Sequence, residues 1–469
     1  MLSLFTQQSP QLAIAHVREK LQHSPLARRL AKGAAWSLVG AVSSRLLTVA
    51  STAIIVRLLG KEHYGELGMV QSTLMLLGSF AGMGLGITAT KHTAEFRSRN
   101  PVRVGRLLGL LLVAATISGI LMTIGGWTCS DWLANRVLNR GSLVYYLQIS
   151  SILVVIEAVD GVFSAALAGF EAFSRIARAS IYVALLSPLL TVPLVFFFGL
   201  YGAVWGLVVS TSLQMILDGV ALMRECKSHE VTIRIDRMAF REWPVLVHFA
   251  LPALAATIVV MPAMWLGNVM LVHSGASYSG LGVVNVVNTF KTLAIYLPTV
   301  LLAPTFAVLA NVADNPVAVR KTMGYAIGLS ALTVLPLALV VTALAKYALC
   351  TIYGAEYSSE GAMLACAMIV AAIQATGLGF GAFINATGRM WLGLGINLLF
   401  GLAFLILAYV LIPKYGPIGY LAAMAIAYLF TTVITYGGFS LTLPHLMQCY
   451  PLTRSLLLFG VLIFPAVYV

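Results

Sequence analysis

Uninterrupted apolar stretches recur along this chain, each long enough for a helix of about 20 residues to cross the roughly 30 Å hydrocarbon layer of a bilayer. Of its 469 residues 60% are hydrophobic and only 10% charged, whereas an ordinary globular domain carries about 25% charged residues. Lipid is therefore the solvent for most of the surface. Backbone groups in lipid must bond internally, which leaves helices or a closed barrel. The apolar runs do not alternate, and they are longer than the roughly 10-residue strands of a barrel. The expected fold is an all-α polytopic membrane protein of about 12 transmembrane helices. The spans fall near 34–56, 64–90, 104–127, 142–169, 178–199, 201–222, 244–272, 277–310, 322–344, 357–385, 389–412 and 417–443. A last apolar stretch, 455–469, is at the short limit for a partial thirteenth helix.

Lys and Arg distribution sets the orientation. With the N-terminus in the cytoplasm, the inner segments carry 21 of the 29 basic residues. The outer loops carry six: Arg57, Lys61, Arg136, Arg140, Lys346 and Lys414. Arg45 and Lys291 fall inside spans. This asymmetry accounts for the net charge of +13 without nucleic acid as a partner. Residues 1–33 are a basic cytoplasmic segment with no cleavable signal, and 9–32 reads either as an amphipathic surface helix or as a loose tail. The five cysteines lie far apart, and the eight histidines form no HxxxH. No metal, disulfide framework or other cofactor is implied.

The longest inner segment, 223–243, divides the chain into an N-lobe, 34–222, and a C-lobe, 244–443, followed by a C-terminal segment, 444–469. Three pairs suggest that the lobes are repeats: Tyr64-Gly65-Glu66-Leu67-Gly68 with Tyr278-Ser279-Gly280-Leu281-Gly282, Arg175 with Arg389, and Tyr201-Gly202 with Tyr415-Gly416. All share an offset of 214 residues. An even number of spans per repeat makes the repeats parallel, related by an axis along the membrane normal, a design used by transporters.

Gly33-Ala34-Ala35-Trp36, Arg57-Leu58-Leu59-Gly60-Lys61-Glu62-His63-Tyr64-Gly65 and Gly82-Met83-Gly84-Leu85-Gly86 resemble the bacterial O-antigen and exopolysaccharide flippases of the multidrug/oligosaccharidyl-lipid/polysaccharide exporter superfamily. The resemblance implies two six-helix lobes forming a V around a cavity that opens alternately to each side. It also implies an undecaprenyl-pyrophosphate-linked oligosaccharide as cargo, flipped from the inner to the outer leaflet of the bacterial inner membrane. Membrane lipids, and the polymerase and export machinery of surface-polysaccharide synthesis, are the implied partners.

Charges in mid-span cost roughly 2.5–3.5 kcal/mol on insertion scales and therefore tend to face cavities. Arg45, flanked by Ser44 and Thr48, and Lys291, in line with Asn285 and Asn288, are the candidate cavity cations for a phosphate. Glu157 and Asp160, at i and i+3 on span four, could couple transport to a cation or simply pair with Arg45. Asn268, Gln71, Gln374 and Asn397 are further mid-span polar residues, suited to helix–helix bonds or to sugar contact. Pro252 and Pro262 make span seven a candidate hinge, and Pro188 and Pro193 should bend span five.

Two rival functions bear on these residues. A cation-coupled multidrug exporter of the same superfamily would commonly carry an acid in span one or seven, and neither span has one. A membrane-embedded polymerase would need a sizeable outer loop. The longest expected outer loop is 128–141, with no catalytic grouping. No nucleotide fingerprint is present.

Overall fold

The computed structural model describes residues 25–82, 84–236, 242–243, 259–311, 316–387 and 389–442. Pro252, the start of span seven, the first 24 residues and the 455–469 stretch lie outside them. The described chain is helical throughout, with no strand.

Twelve helical arms emerge once the breaks are placed. The first half contains α1 (25–59), α2 (61–82, continued past a bend as Leu85–Phe96), α3 (Pro101–Trp132), α4 (Leu143–Gly169), α5 (173–198) and α6 (200–228). The second contains α7 (Val260–His273), α8 (Ser277–Asn311), α9 (Pro316–Ala343), α10 (Gly361–Ala386), α11 (390–415) and α12 (417–442). α1 begins at Pro25, so the basic stretch before residue 33 extends this helix at its C-terminal part.

α5 and α6 form an unbroken helical run of 56 residues interrupted only at Gly199. Laid straight it would reach about 84 Å, nearly three bilayer cores. It folds back instead. The hydroxyls of Ser187 and Ser210 are 2.6 Å apart, although a straight helix would separate residues at that spacing by about 35 Å. α11 and α12 repeat the device at Gly416, where the rings of Phe400 and Tyr428 close to 4.2 Å. Both glycines adopt a positive φ of 56° that L side chains rarely take. Pro188 and Pro193 lie inside α5 without any departure from helical angles, so the expected bend at those prolines is replaced by a reversal at the glycine.

These breaks also correct the repeat. Gly199 (φ 56°, ψ −132°) and Gly416 (φ 56°, ψ −131°) are 217 residues apart, not 214. The turn that ends α4 closes with Ala172 N–H on the Leu167 carbonyl, and the turn after α10 closes with Arg389 N–H on the Ile384 carbonyl, again 217 apart. Arg389 thus corresponds to Ala172, and Tyr415-Gly416 is displaced by three from Tyr201-Gly202. A second signal was overlooked in the sequence: Asn100-Pro101-Val102 and Asn315-Pro316-Val317 begin α3 and α9, each with proline at the helix start.

Packing is dense within each half. α3, α5 and α6 pack on α4, and α9, α11 and α12 pack on α10. The halves meet chiefly where α1 and α2 lie against α8. Lipid-facing arms expose large apolar side chains, such as Phe197 on α5 and Tyr409 on α11, both 73% exposed. In lipid the hydrophobic effect does not drive helices together, so small residues that allow close backbone approach carry the association. Gly65 and Gly282 do this at the α2–α8 crossing. A β-carbon on Gly65 would fall 1.8 Å from the Tyr278 carbonyl oxygen, and one on Gly282 2.0 Å from that of Lys61. The two contacts exchange under the 217-residue repeat, so the pseudo-twofold axis runs between α2 and α8. Away from this crossing, Leu309, Met323, Ile327, Phe380 and Tyr436 form a core belonging to the second half alone.

The expected outer loop 128–141 is largely helical: α3 continues through a π-turn, Leu133–Val137. The longer connection is 344–360, which folds into a short helix, Ala345–Tyr353, and a 3-10 turn, Ala355–Glu360.

Gly65→Ala or Gly282→Ala should each lower the thermal midpoint in detergent by the equivalent of about 1–3 kcal/mol, the usual cost of overpacking. Gly125→Ala, where nothing lies within 4 Å of the added carbon, should leave the midpoint unchanged or raise it. Equal midpoints for all three variants would contradict the crossing.

Candidate functional site

Helix α2 breaks at mid-chain because Gly84 takes a left-handed conformation (φ 68°). Its two parts diverge by 46°. The break frees carbonyls at the end of the first part, and the Ser118 hydroxyl of α3 donates to one of them, Ala81, at 2.8 Å. The bend opens a cavity of about 320 Å³. Gly78, Ser79, Gly82 and Gly86 of α2 line one wall, Glu157 and Gly161 of α4 another, and Met261 of α7 reaches in from the second half. The glycines of the Gly82-x-Gly84-x-Gly86 sequence therefore serve both flexing and packing, since Gly86 also sits close to Gly161 and Ala165. Of the corresponding Gly377, Gly379 and Gly381 on α10, only Gly379 meets a close neighbour, Ile327 at 2.8 Å.

Glu157 is open to this cavity and makes no ion pair. Asp160, one turn on, faces Asp218 of α6 within hydrogen-bonding reach. Asp218 is 1% exposed and takes the Gln214 amide at 2.8 Å. Asp218 was not singled out in the sequence. It sits four residues before the expected end of span six, where a charge is unremarkable, and only the fold brings it against Asp160.

The pairing of Arg45 with Glu157 or Asp160 does not occur. The Arg45 guanidinium instead lies 5.7 Å from the centre of the Tyr296 ring on α8, within cation–π range. Its Nε is buried and finds no acceptor. Ser44 and Thr48 stay close by, the Thr48 hydroxyl donating back to the Ser44 carbonyl at 2.9 Å.

Lys291 points elsewhere. Its ammonium reaches the Met424 sulfur of α12 at 3.5 Å. Tyr296 is five residues further along α8, about 140° around the helix, so the two cations address different faces of α8. Asn285 shares the Tyr296 face and fills the space left by Gly68 of α2. The Asn285 amide nitrogen and the Asn288 amide oxygen are buried without partners. Neither Arg45 nor Lys291 lines the 320 Å³ cavity, whose charged residue is Glu157. The single cationic chamber expected from the sequence is thus resolved into separate positions.

Asn268 is buried on α7. Pro262 lies in the first turn of α7 as described, where a missing N–H breaks no helical bond. The positive-φ breaks fall at glycines rather than at this proline. A direct bond between the halves, unforeseen in the sequence, runs from the Trp265 indole of α7 to the Thr73 hydroxyl of α2 at 3.0 Å. Trp127, Trp132 and Trp243 are each about half exposed, as interfacial anchors should be.

Comparison with known proteins follows this geometry. The profile of a family described as "Polysaccharide biosynthesis protein" matches residues 54–360. No curated protein matches the chain significantly. Among solved structures, an inward-facing multidrug resistance MATE family transporter of the MOP superfamily superposes with a TM-score of 0.71 at 16% identity, over 89% of this chain and 100% of the other. An outward-facing form of such a transporter gives 0.69, with coverage of 90% and 96%. A MOP superfamily transporter from Pyrococcus furiosus, whose reversed binding-pocket polarity suggests a different function, gives 0.68 at 16% identity with the same coverage. At these identities the likeness establishes the fold.

The cavity supplies its own test. The positions of added β-carbons on Gly82 and Gly161 have nothing within 4 Å, so Leu at either should fit. Gly82→Leu and Gly161→Leu are expected to cut transport about tenfold or more while the thermal midpoint holds, given how much binding depends on a preformed concave site. Unchanged transport in both would separate this cavity from the route.

Proposed function

This chain belongs to the polysaccharide biosynthesis protein family and has the fold of a MOP superfamily transporter, and from that premise we propose that it is a flippase for a lipid-linked, undecaprenyl-pyrophosphate-type oligosaccharide. It would carry this cargo from the inner to the outer leaflet of the bacterial inner membrane by alternating access, with its N-terminus in the cytoplasm. Polymerase and export machinery would act on what it delivers.

The observation that carries this reading is Arg45. A guanidinium in mid-span is costly, and the usual remedy is a carboxylate. Two acidic residues were available on α4, yet Arg45 lies on a tyrosine ring with Nε unsatisfied. A phosphate offers the planar, forked donors of arginine paired acceptor oxygens, and it would meet them in a low-dielectric site where such bonds are strongest. The Tyr296 ring beside it suits the apolar face of a sugar or an isoprenoid. Lys291 would supply a second positive charge within the second half, and Asn285, Asn288 and Asn268 polar contacts.

Glu157 supports a second reading, the cation-coupled exporter, because an unpaired carboxylate in a cavity suits a cationic cargo or coupling ion. No acid lies on α1 or on the described part of α7. Both readings agree on a transporter and differ on the charge of what is carried.

In cells lacking the chromosomal gene, Arg45→Ala should reduce surface polysaccharide at least about tenfold at normal protein levels and trap lipid-linked oligosaccharide on the cytoplasmic leaflet. Arg45→Lys should retain part of the activity, since it keeps the charge and loses the bidentate geometry. Lys291→Ala should also impair export. Wild-type export by Arg45→Ala overturns the proposal. Unchanged glycolipids with altered drug sensitivity would instead support the exporter.

A further inference from the structure

The contacts that hold the halves together at one end form a reciprocal clasp. Lys61, at the start of α2, reaches into the second half. Its ammonium lies 5.1 Å from the Tyr357 ring and 2.7 Å from a Glu360 carboxylate oxygen. Tyr278, at the start of α8, reaches into the first half. Its ring lies 5.5 Å from the Arg140 guanidinium, and its hydroxyl donates to the Leu138 carbonyl at 2.9 Å.

These contacts are equivalent under the 217-residue repeat. Lys61 corresponds to Tyr278, and Arg140 corresponds to Tyr357. Each lobe therefore presents the first turn of one helix to the turn between two helices of the other lobe. Cation and ring have changed places across the axis. One pairing has the cation on the inserted helix, and the other has the ring there. Arg57 adds to the first side by donating to the Ile352 carbonyl at 3.0 Å and to that of Thr351.

We infer that this clasp is the gate at the end of the molecule that is outward under the orientation proposed above, and that it must part in every transport cycle. This rests on the alternating-access reading.

The clasp is built to open without stranding a charge. Arg140 is held at 2.7 Å by both Glu62 and Glu66 of its own half, so it stays neutralised when Tyr278 leaves. Lys61 and Glu360 have side chains 23% and 17% exposed, so they sit at the rim and return to water together. Tyr357 is 1% exposed when the clasp is closed, and its hydroxyl has no partner there. Opening would hydrate it. Closed and open forms thus differ by a few weak, compensated contacts, as a bistable element requires.

The test uses the full-length chain with its five cysteines replaced and a reporter cysteine at Ser79, in the cavity wall. Intact cells are labelled with a membrane-impermeant maleimide. Lys61→Glu should raise labelling about 5-fold, as the loss of roughly 1 kcal/mol from a two-state balance would do. The exchanged pair, Lys61→Glu with Glu360→Lys, should return labelling to near the parent level. Unchanged labelling with Lys61→Glu, or an exchanged pair that labels like the single variant, overturns the gate.

A second arm covers misfolding. Lys61→Cys with Glu360→Cys, joined by a cleavable bis-methanethiosulfonate linker, should stop transport, and reducing the linker should restore it. Transport that continues across the linker overturns the gate. Labelling does not depend on the cargo. A failed gate with an intact Arg45 effect rejects the clasp alone, and an intact gate with no Arg45 effect rejects the flippase alone.

Discussion

The α2–α8 crossing is the constraint on which the rest of the arrangement depends. Two helices from different halves approach so closely that Gly65 and Gly282 leave no room for a side chain. In lipid, where apolar side chains gain little by leaving one apolar neighbour for another, close backbone contact is a main source of association. The crossing lies on the pseudo-twofold axis, so each half contributes the same surface to it. Contacts concentrated at one end of a shared axis leave the other end free to differ. The separate core of Leu309, Met323, Phe380 and Tyr436 lies within the second half and needs no partner from the first.

Much of the fold was legible because lipid imposes a simple rule. Long apolar runs must be helices, and their number and polarity can be read from hydropathy and from the placement of Lys and Arg. The register of the repeat was harder. Matching side chains such as Tyr-Gly and Arg gave an offset of 214, whereas backbone reversals at Gly199 and Gly416 give 217. What the two halves share is a set of backbone conformations and close approaches. A tyrosine or arginine near a helix end can recur by composition alone, but a positive φ inside a helical run cannot. The prolines misled for a related reason. Membrane helices accommodate them inside a packed bundle, while a full reversal needs a residue that can enter the left-handed region.

The site was legible only in part, because charge cost identifies residues but not their partners. Arg45, Lys291, Glu157 and Asp160 were all found by their position in mid-span. Sequence spacing could not show that Arg45 would turn towards Tyr296 or that Lys291 would face Met424. Nor could it show that Asp160 would meet Asp218 rather than an arginine. Each of these contacts joins helices distant in the chain. The charges counted as outer-loop residues, Arg57, Lys61 and Arg140, proved to be engaged between or within the halves. A positive-inside argument uses such residues only as signs of topology and is blind to what they bind.

The fold by itself does not choose a cargo, since the MATE transporters that superpose on this chain at 16% identity share its architecture. What distinguishes one member from another is the sign and placement of charge around the central helices. In this chain the acids lie on α4 and α6, within the first half, and the free cation lies on α1, facing the second half across Tyr296. Neutralising Arg45 internally would have required only a modest rearrangement towards α4. Its orientation towards α8 places the unsatisfied donor at the junction of the halves, where a group bound in one state can be released in another. An anionic headgroup held there would be gripped by both halves at once. The energy gained would then depend on how they are disposed, which is the condition for coupling binding to the motion that moves the cargo.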